Sequence, residues 1–77
     1  MIVTLKYKGH DVEIEPPSRK GIEGKYVITI GNLVRAYPTV KLINKRRIRI
    51  YWDKNYGRRF NRLLQGAFNQ FFREISE

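Results

Sequence analysis

The hydrophobic periodicity of this chain changes once, and that change restricts the folds open to it. Between residues 2 and 52, apolar residues recur mainly at every second position, as in strands with one buried face. Between residues 56 and 75 they follow the i, i+3, i+4, i+7 spacing of an amphipathic helix. We therefore expect an α+β fold, with a small antiparallel β-sheet or partly open barrel of about five strands followed by one C-terminal helix. With 77 residues the chain has room for a single domain, residues 1–77.

The chain is predicted to open with a β-hairpin. Strands Ile2–Lys8 and Asp11–Glu15 flank Gly9 and His10, which suit a two-residue type II′ turn. In this register the cross-strand pairs are Lys8 with Asp11, Lys6 with Glu13, Tyr7 with Val12, and Leu5 with Ile14. One face is then apolar, the other carries opposite charges, and His10 is a solvated side chain at the tip. A loop over Pro16–Gly24 follows, because proline cannot donate to a strand ladder.

The later strands are predicted from the same alternation and from turn residues. Lys25–Ile30 and Leu33–Tyr37 form a second hairpin around Gly31 and Asn32, and Val40–Ile43 continues the outgoing strand past a bend or bulge at Pro38. The last strand, Arg46–Trp52, follows a turn at Asn44 and Lys45. In the last strand, Ile48, Ile50 and Trp52 should point to the core. The residues that alternate with them, and should face solvent, are Arg47, Arg49 and Tyr51.

The predicted helix contains features that oppose its own stability. Gly57 and Gly66 each cost about 1 kcal/mol relative to alanine inside a helix. Arg58 and Arg59 fall in the first turn, at the positive end of the helix dipole, where a cation costs a few tenths to about 1 kcal/mol. Arginines beside unpaired backbone N–H groups are, however, well suited to hold a phosphate.

The apolar stripe of this helix covers about half of its circumference. Phe68 and Phe72 are predicted to lie at one margin of the stripe, and Asp53 or Asn55 is the expected N-cap. Such a stripe indicates either core residues alone or, as the alternative, an edge that binds a second copy of the chain.

Basic residues are concentrated late in the sequence. The chain has 16 lysines and arginines against 7 acidic residues, a formal charge of +9. Nine of the basic residues, six of them arginines, lie between Lys41 and Arg62, with Asp53 as the one acid. Self-repulsion of this kind is relieved by a polyanionic partner, and the arginine fork suits phosphate oxygens and base edges. The alternative interpretation is a solubilising surface.

The composition argues against several classes of function. The chain has no cysteine and one histidine, which argues against thiolate and histidine metal sites and against Ser-His-Asp or cysteine catalysis. No carboxylate pair stands beside an apolar pocket pattern, so we expect no enzymatic activity and no cofactor. Apolar runs are too short for a membrane span. We expect a cytoplasmic or nucleoid-associated protein.

The predicted partner is a nucleic acid, DNA ahead of RNA, held by neutralisation of its phosphates. The residues predicted to bind it are Lys45, Arg46, Arg47, Arg49, Tyr51, Lys54, Arg58, Arg59 and Arg62. A chromatin component and a phage or mobile-element regulator both remain open. The alternative is a protein-interaction module that uses the phenylalanine-rich helix to bind a partner or to form a homodimer.

The first hairpin resembles a known family. Residues Leu5 to Gly9, with the sequence LKYKG, and the acid-alternating strand Asp11–Glu15 are similar to the opening hairpin of the small seven-kilodalton archaeal chromatin proteins. The resemblance covers about the first fifteen positions. It implies an SH3-like barrel capped by a C-terminal helix, and binding to the DNA minor groove with an apolar wedge. No site residues are transferred from it.

Overall fold

A computed structural model describes residues 2–18 and 21–75. Its seven strands and one helix are β1 (Val3–Tyr7), β2 (His10–Glu15), β3 (Gly24–Lys25), β4 (Val27–Ile30), β5 (Val34–Ala36), β6 (Thr39–Asn44), β7 (Arg47–Tyr51) and α1 (Arg58–Ile75). Strands β1-β2-β4-β5 form an antiparallel N-terminal sheet, and β3-β6-β7 form an antiparallel C-terminal sheet. The predicted α+β class, a small sheet followed by one helix, is confirmed. The described strands do not close into a barrel.

Two bent strands connect the sheets. Strands β3 and β4 are separated by Tyr26, and β5 and β6 by Tyr37 and Pro38. The backbone N–H of Tyr26 donates to the Pro38 carbonyl at 2.8 Å, so one continuous hairpin passes from one sheet into the other. Pro38 has no N–H to donate, and the ladder breaks there. If each bent strand is counted once, the fold is a meander of five strands, as the sequence predicts.

The turn of the first hairpin differs from the prediction. The two-residue loop is Lys8 and Gly9, with φ angles of 49° and 81°, and Lys6 pairs with Asp11. Positive φ at both loop positions is typical of a type I′ turn, whose twist matches the strands. The predicted type II′ turn is therefore wrong, and His10 is the first residue of β2. Because the register moves by two residues, every side chain keeps its predicted face.

Two other connections also differ from the prediction, the β4–β5 loop by one residue in length and the β6–β7 turn by one residue in position. The loop between β4 and β5 has three residues, closed by a hydrogen bond from Leu33 N to Ile30 O at 2.9 Å. The β6–β7 turn is formed by Lys45 and Arg46, and the Asn44 side chain accepts a hydrogen bond from Arg46 N at 2.9 Å. This side-chain acceptor stabilises the turn without occupying its centre. Arg19 and Lys20 of the predicted Pro16–Gly24 loop lie outside the described residues.

Helix α1 begins two residues later than its periodicity suggests. Gly57 precedes the helix with a φ of 91°, a left-handed conformation that glycine adopts without steric cost. Neither predicted N-cap holds that position. The Asn55 side chain accepts hydrogen bonds from Gly57 N at 2.9 Å and from Asn61 Nδ2 at 2.8 Å, and Asp53 bonds elsewhere. Arg58 and Arg59 do occupy the first turn, as predicted.

The core is filled from both sheets and from the helix. Phe68 is fully buried, and its ring centroid lies 5.3 Å from that of Tyr26, 5.8 Å from Trp52 and 4.9 Å from Phe72. Phe71 is also buried, whereas Phe72 is half-buried. The prediction that Phe68 lies at the margin of the stripe is wrong, because Tyr26 and Trp52 cover that side of the helix. No helix in the described part of the chain is long and apolar enough to cross a membrane.

Candidate nucleic-acid interface

Most predicted site residues from the strands lie on one projecting hairpin. Strand β3 pairs only with Thr39 and Val40 of β6, so the β6–β7 hairpin extends beyond the sheet as a two-stranded ribbon. We call residues 41–49 the basic ribbon. Its basic residues, all exposed, are Lys41, Lys45, Arg46, Arg47 and Arg49. The basic ribbon is therefore a projecting, positively charged element that can enter a groove of a binding partner.

Successive side chains of the ribbon alternate between a core-facing and an exposed face. Ile48 and Ile50 are half-buried against the core, whereas Arg47, Arg49 and Tyr51 are exposed, which confirms the predicted alternation of β7. Lys41 lies directly opposite Arg49 on β6. Its Nζ is 5.9 Å from the centroid of the Tyr51 ring, so that cations and an aromatic plane share one surface.

Two aliphatic side chains are exposed among these charges. Leu42 is 46% exposed and Ile43 is 53% exposed, next to the turn at Lys45 and Arg46. Leu42 pairs with Ile48, and a β-bulge between Leu42 and Asn44 interrupts the ladder at Ile43. Exposed aliphatic residues beside arginines are found in proteins that insert a wedge between base pairs.

The two sheets differ in surface charge. The outer face of the N-terminal sheet carries Asp11, Glu13 and Glu15, and Lys6 Nζ lies 3.2 Å from Asp11 Oδ1. In contrast, none of the cations of the basic ribbon forms an ion pair with a described carboxylate. Glu23 reaches the ribbon, but there its carboxylate accepts a hydrogen bond from the backbone N–H of Leu42 at 2.7 Å.

The remaining predicted cations lie on a second surface beside the helix. A groove of about 510 Å³ separates the first hairpin from the first turns of α1. We call it the hairpin–helix groove, and its lining consists of Tyr7, Lys8, His10, Arg58, Arg59, Arg62 and Leu63. Sequence reasoning missed Lys8 and His10 because they are about fifty positions away from the arginines.

Lys54 lies in an adjoining, more open groove. This surface has a volume of about 700 Å³ and shares Arg62 and Tyr7 with the hairpin–helix groove. Several of its lining residues are amides, namely Asn55, Asn61, Gln65 and Asn69. Trp52, predicted to be a core residue, is half-buried, and its Nε1 donates to Gln65 Oε1 at 3.2 Å. One edge of the indole therefore faces this polar surface.

A hydrogen-bonded group braces the chain between the ribbon and the helix. Asp53 Oδ1 accepts from the Tyr37 backbone N–H at 3.1 Å, and both Asp53 carboxylate oxygens lie 2.7 Å from the Tyr56 hydroxyl. Desolvation by itself raises the pKa of Asp53, but the hydrogen bonds from Tyr56 and Tyr37 outweigh it and lower that pKa. Desolvation and the bond to Asp53 raise the pKa of Tyr56 to about 12.

The structure therefore divides the predicted site into two parts. Val40 and Ile50 pack into the core, so Lys41 and Arg49 lie on the outer face of the C-terminal sheet. The arginines of the helix line the groove beside the first hairpin instead. Lys41 lies on the same surface as Arg49, and the alternation of β6 in the sequence could have identified it as a further residue of this site. No signal in the sequence connects Lys8 and His10 to the helix.

No protein family model, curated protein or solved structure matches the chain. The similarity of the first hairpin to the archaeal chromatin proteins therefore stays a prediction.

Proposed function

We propose that this chain is a non-enzymatic nucleic-acid-binding protein that binds duplex DNA in preference to RNA, with the basic ribbon as its principal contact. One observation carries the proposal. A two-stranded ribbon projects from its sheet, and its five basic side chains form no ion pair with a described carboxylate. A phosphate backbone supplies the counter-charge that the fold does not, and its binding releases condensed cations.

The shape of the ribbon supports DNA over RNA. The major groove of B-form DNA admits a two-stranded β-ribbon, whereas the major groove of A-form RNA is too narrow and deep for side chains to read. Exposed Leu42 and Ile43 at the end of the ribbon are also suited to apolar contact with thymine methyl groups in the major groove of DNA. Arg47 and Arg49 lie on the same face, where they contact either phosphates or guanine edges.

The aromatic residues of the helix give less support to a protein-interaction module. Phe68 and Phe71 are enclosed in the core, so they offer no surface to a second copy of the chain. That alternative depends on Phe60 and Phe72, which are half-buried, and on Ile75, which is 48% exposed.

Fluorescence anisotropy tests the proposal with labelled duplex DNA, single-stranded DNA and structured RNA at several salt concentrations. We expect the tightest binding to the duplex, with log K falling steeply as log salt rises. The double substitution Arg47→Gln and Arg49→Gln should weaken binding and reduce that slope by about 2, since each lost phosphate contact removes about 1.

A matched control separates position from net charge. Lys6→Gln with Arg35→Gln also removes two charges from exposed strand residues, but from the N-terminal sheet. This control should bind duplex DNA nearly as the unmodified protein does. Equal losses in both double variants would show that binding depends on total charge and not on the ribbon. Absence of duplex binding at low salt would refute the proposed function.

A further inference from the structure

The hairpin–helix groove has the composition of an anion site. Three arginines from α1 face Lys8 and His10 from the first hairpin, and Tyr7 and Leu63 complete the lining. No carboxylate of the described residues lines it. Two segments far apart in sequence therefore contribute cations to one concave surface, which is more than a single helix terminus would provide.

This groove is separate from the basic ribbon. None of the residues 41–49 lines the groove, and Lys41 and Arg49 lie on the face of the C-terminal sheet opposite to Val40 and Ile50, which pack into the core. The ribbon and the groove therefore share no residue, and each offers a separate cationic surface to a phosphate backbone.

We propose that the hairpin–helix groove is a second phosphate-backbone site, so that one copy of this protein bridges two DNA duplexes. The inference rests on the proposed function of the ribbon. The ribbon holds one duplex, and Arg58, Arg59 and Arg62, together with Lys8, hold the backbone of the other. The groove is about 510 Å³ in volume, and its apolar lining of Tyr7 and Leu63 accommodates the sugar edges beside the phosphates.

A bridging assay tests this directly. Biotinylated duplex is fixed on beads, and a fluorescent duplex of unrelated sequence is added with the full chain at low salt. We expect the protein to retain the fluorescent duplex on the beads. Binding to a single duplex is measured separately by anisotropy with the same preparations.

Two double variants of equal charge distinguish the surfaces. Arg58→Gln with Arg62→Gln changes exposed residues of the groove, and glutamine is a good helix former. This variant should still bind one duplex through the ribbon and lose capture of the second. Arg47→Gln with Arg49→Gln should also lose capture, whereas the Lys6→Gln with Arg35→Gln control should retain it.

Each of the other possible outcomes of the two assays contradicts either the bridging proposal or the proposed function. If Arg58→Gln with Arg62→Gln captures the second duplex as the unmodified chain does, the groove is not the second site, and two ribbons of a dimer explain the bridging. If the unmodified chain binds duplex normally but captures none, bridging is wrong while the proposed function stands. If it binds no duplex in the anisotropy assay, the proposed function itself fails.

Discussion

Gly66→Ala should destabilise this protein, although alanine is the better helix former. Gly66 lies in the middle of α1, where the ring of Tyr7 from β1 rests against the helix. A Cβ atom added at Gly66 would lie 3.0 Å from Tyr7 Cε2 and still nearer to Cζ and Oη. The glycine therefore permits a close approach between strand and helix.

The expected magnitude is the balance of two opposing effects. Alanine improves helix propensity by about 1 kcal/mol relative to glycine. Overpacking typically costs about 1–3 kcal/mol, and because the added atom overlaps several ring atoms, we expect a cost of about 2–3 kcal/mol. The net loss should be about 1–2 kcal/mol. Displacement of Tyr7 would also disturb the hairpin–helix groove, which this ring lines.

A double-mutant cycle with Tyr7→Ala isolates the contact. Without the ring, Gly66→Ala should stabilise the fold by about 1 kcal/mol, so the sign of its effect reverses between the two backgrounds. Urea unfolding followed by the fluorescence of Trp52, the single tryptophan, gives the free energies of all four proteins. An increase in stability on Gly66→Ala in the unmodified chain, or the same sign in both backgrounds, would refute the reasoning.

Two further predictions concern the core and the brace beside the helix. Phe68→Ala should lower the free energy of unfolding by about 3–5 kcal/mol, because Phe68 is fully buried among aromatic rings. The control is Phe72→Ala, at a half-buried site, which should lower the free energy of unfolding by less in the same urea assay. The folded-state pKa of Tyr56 is about 12 against an ordinary value of 10.0, so the stability that its proton provides is complete below pH 10 and is lost as pH rises toward 12. Unfolding curves across that range should show a shallower loss of stability for Tyr56→Phe than for the unmodified chain, and equal losses would contradict the assignment. Buried Tyr26, whose pKa desolvation also raises, contributes to the pH dependence that remains.

Local periodicity was sufficient to predict the element types and the faces of β1, β2 and β7. The alternation of Arg47, Ile48, Arg49 and Ile50 gave the correct exposed face of β7, because successive side chains of any strand point to opposite sides. The predicted faces of the first hairpin are also correct although its predicted register is wrong, because a shift of two residues leaves Lys6 on the same face. Turns were harder, since Lys8 adopts a positive φ that its residue type does not suggest.

The sequence by itself determined the α+β class and the late concentration of basic residues between Lys41 and Arg62. The tertiary structure decided how those residues are distributed. The bend at Tyr26 and Pro38 leaves the basic ribbon projecting beyond its sheet, and the packing of α1 on β1 brings Lys8 and His10 beside the helix. The physical reason is that periodicity specifies which face of an element a side chain occupies. What lies opposite that face depends on contacts between elements distant in sequence.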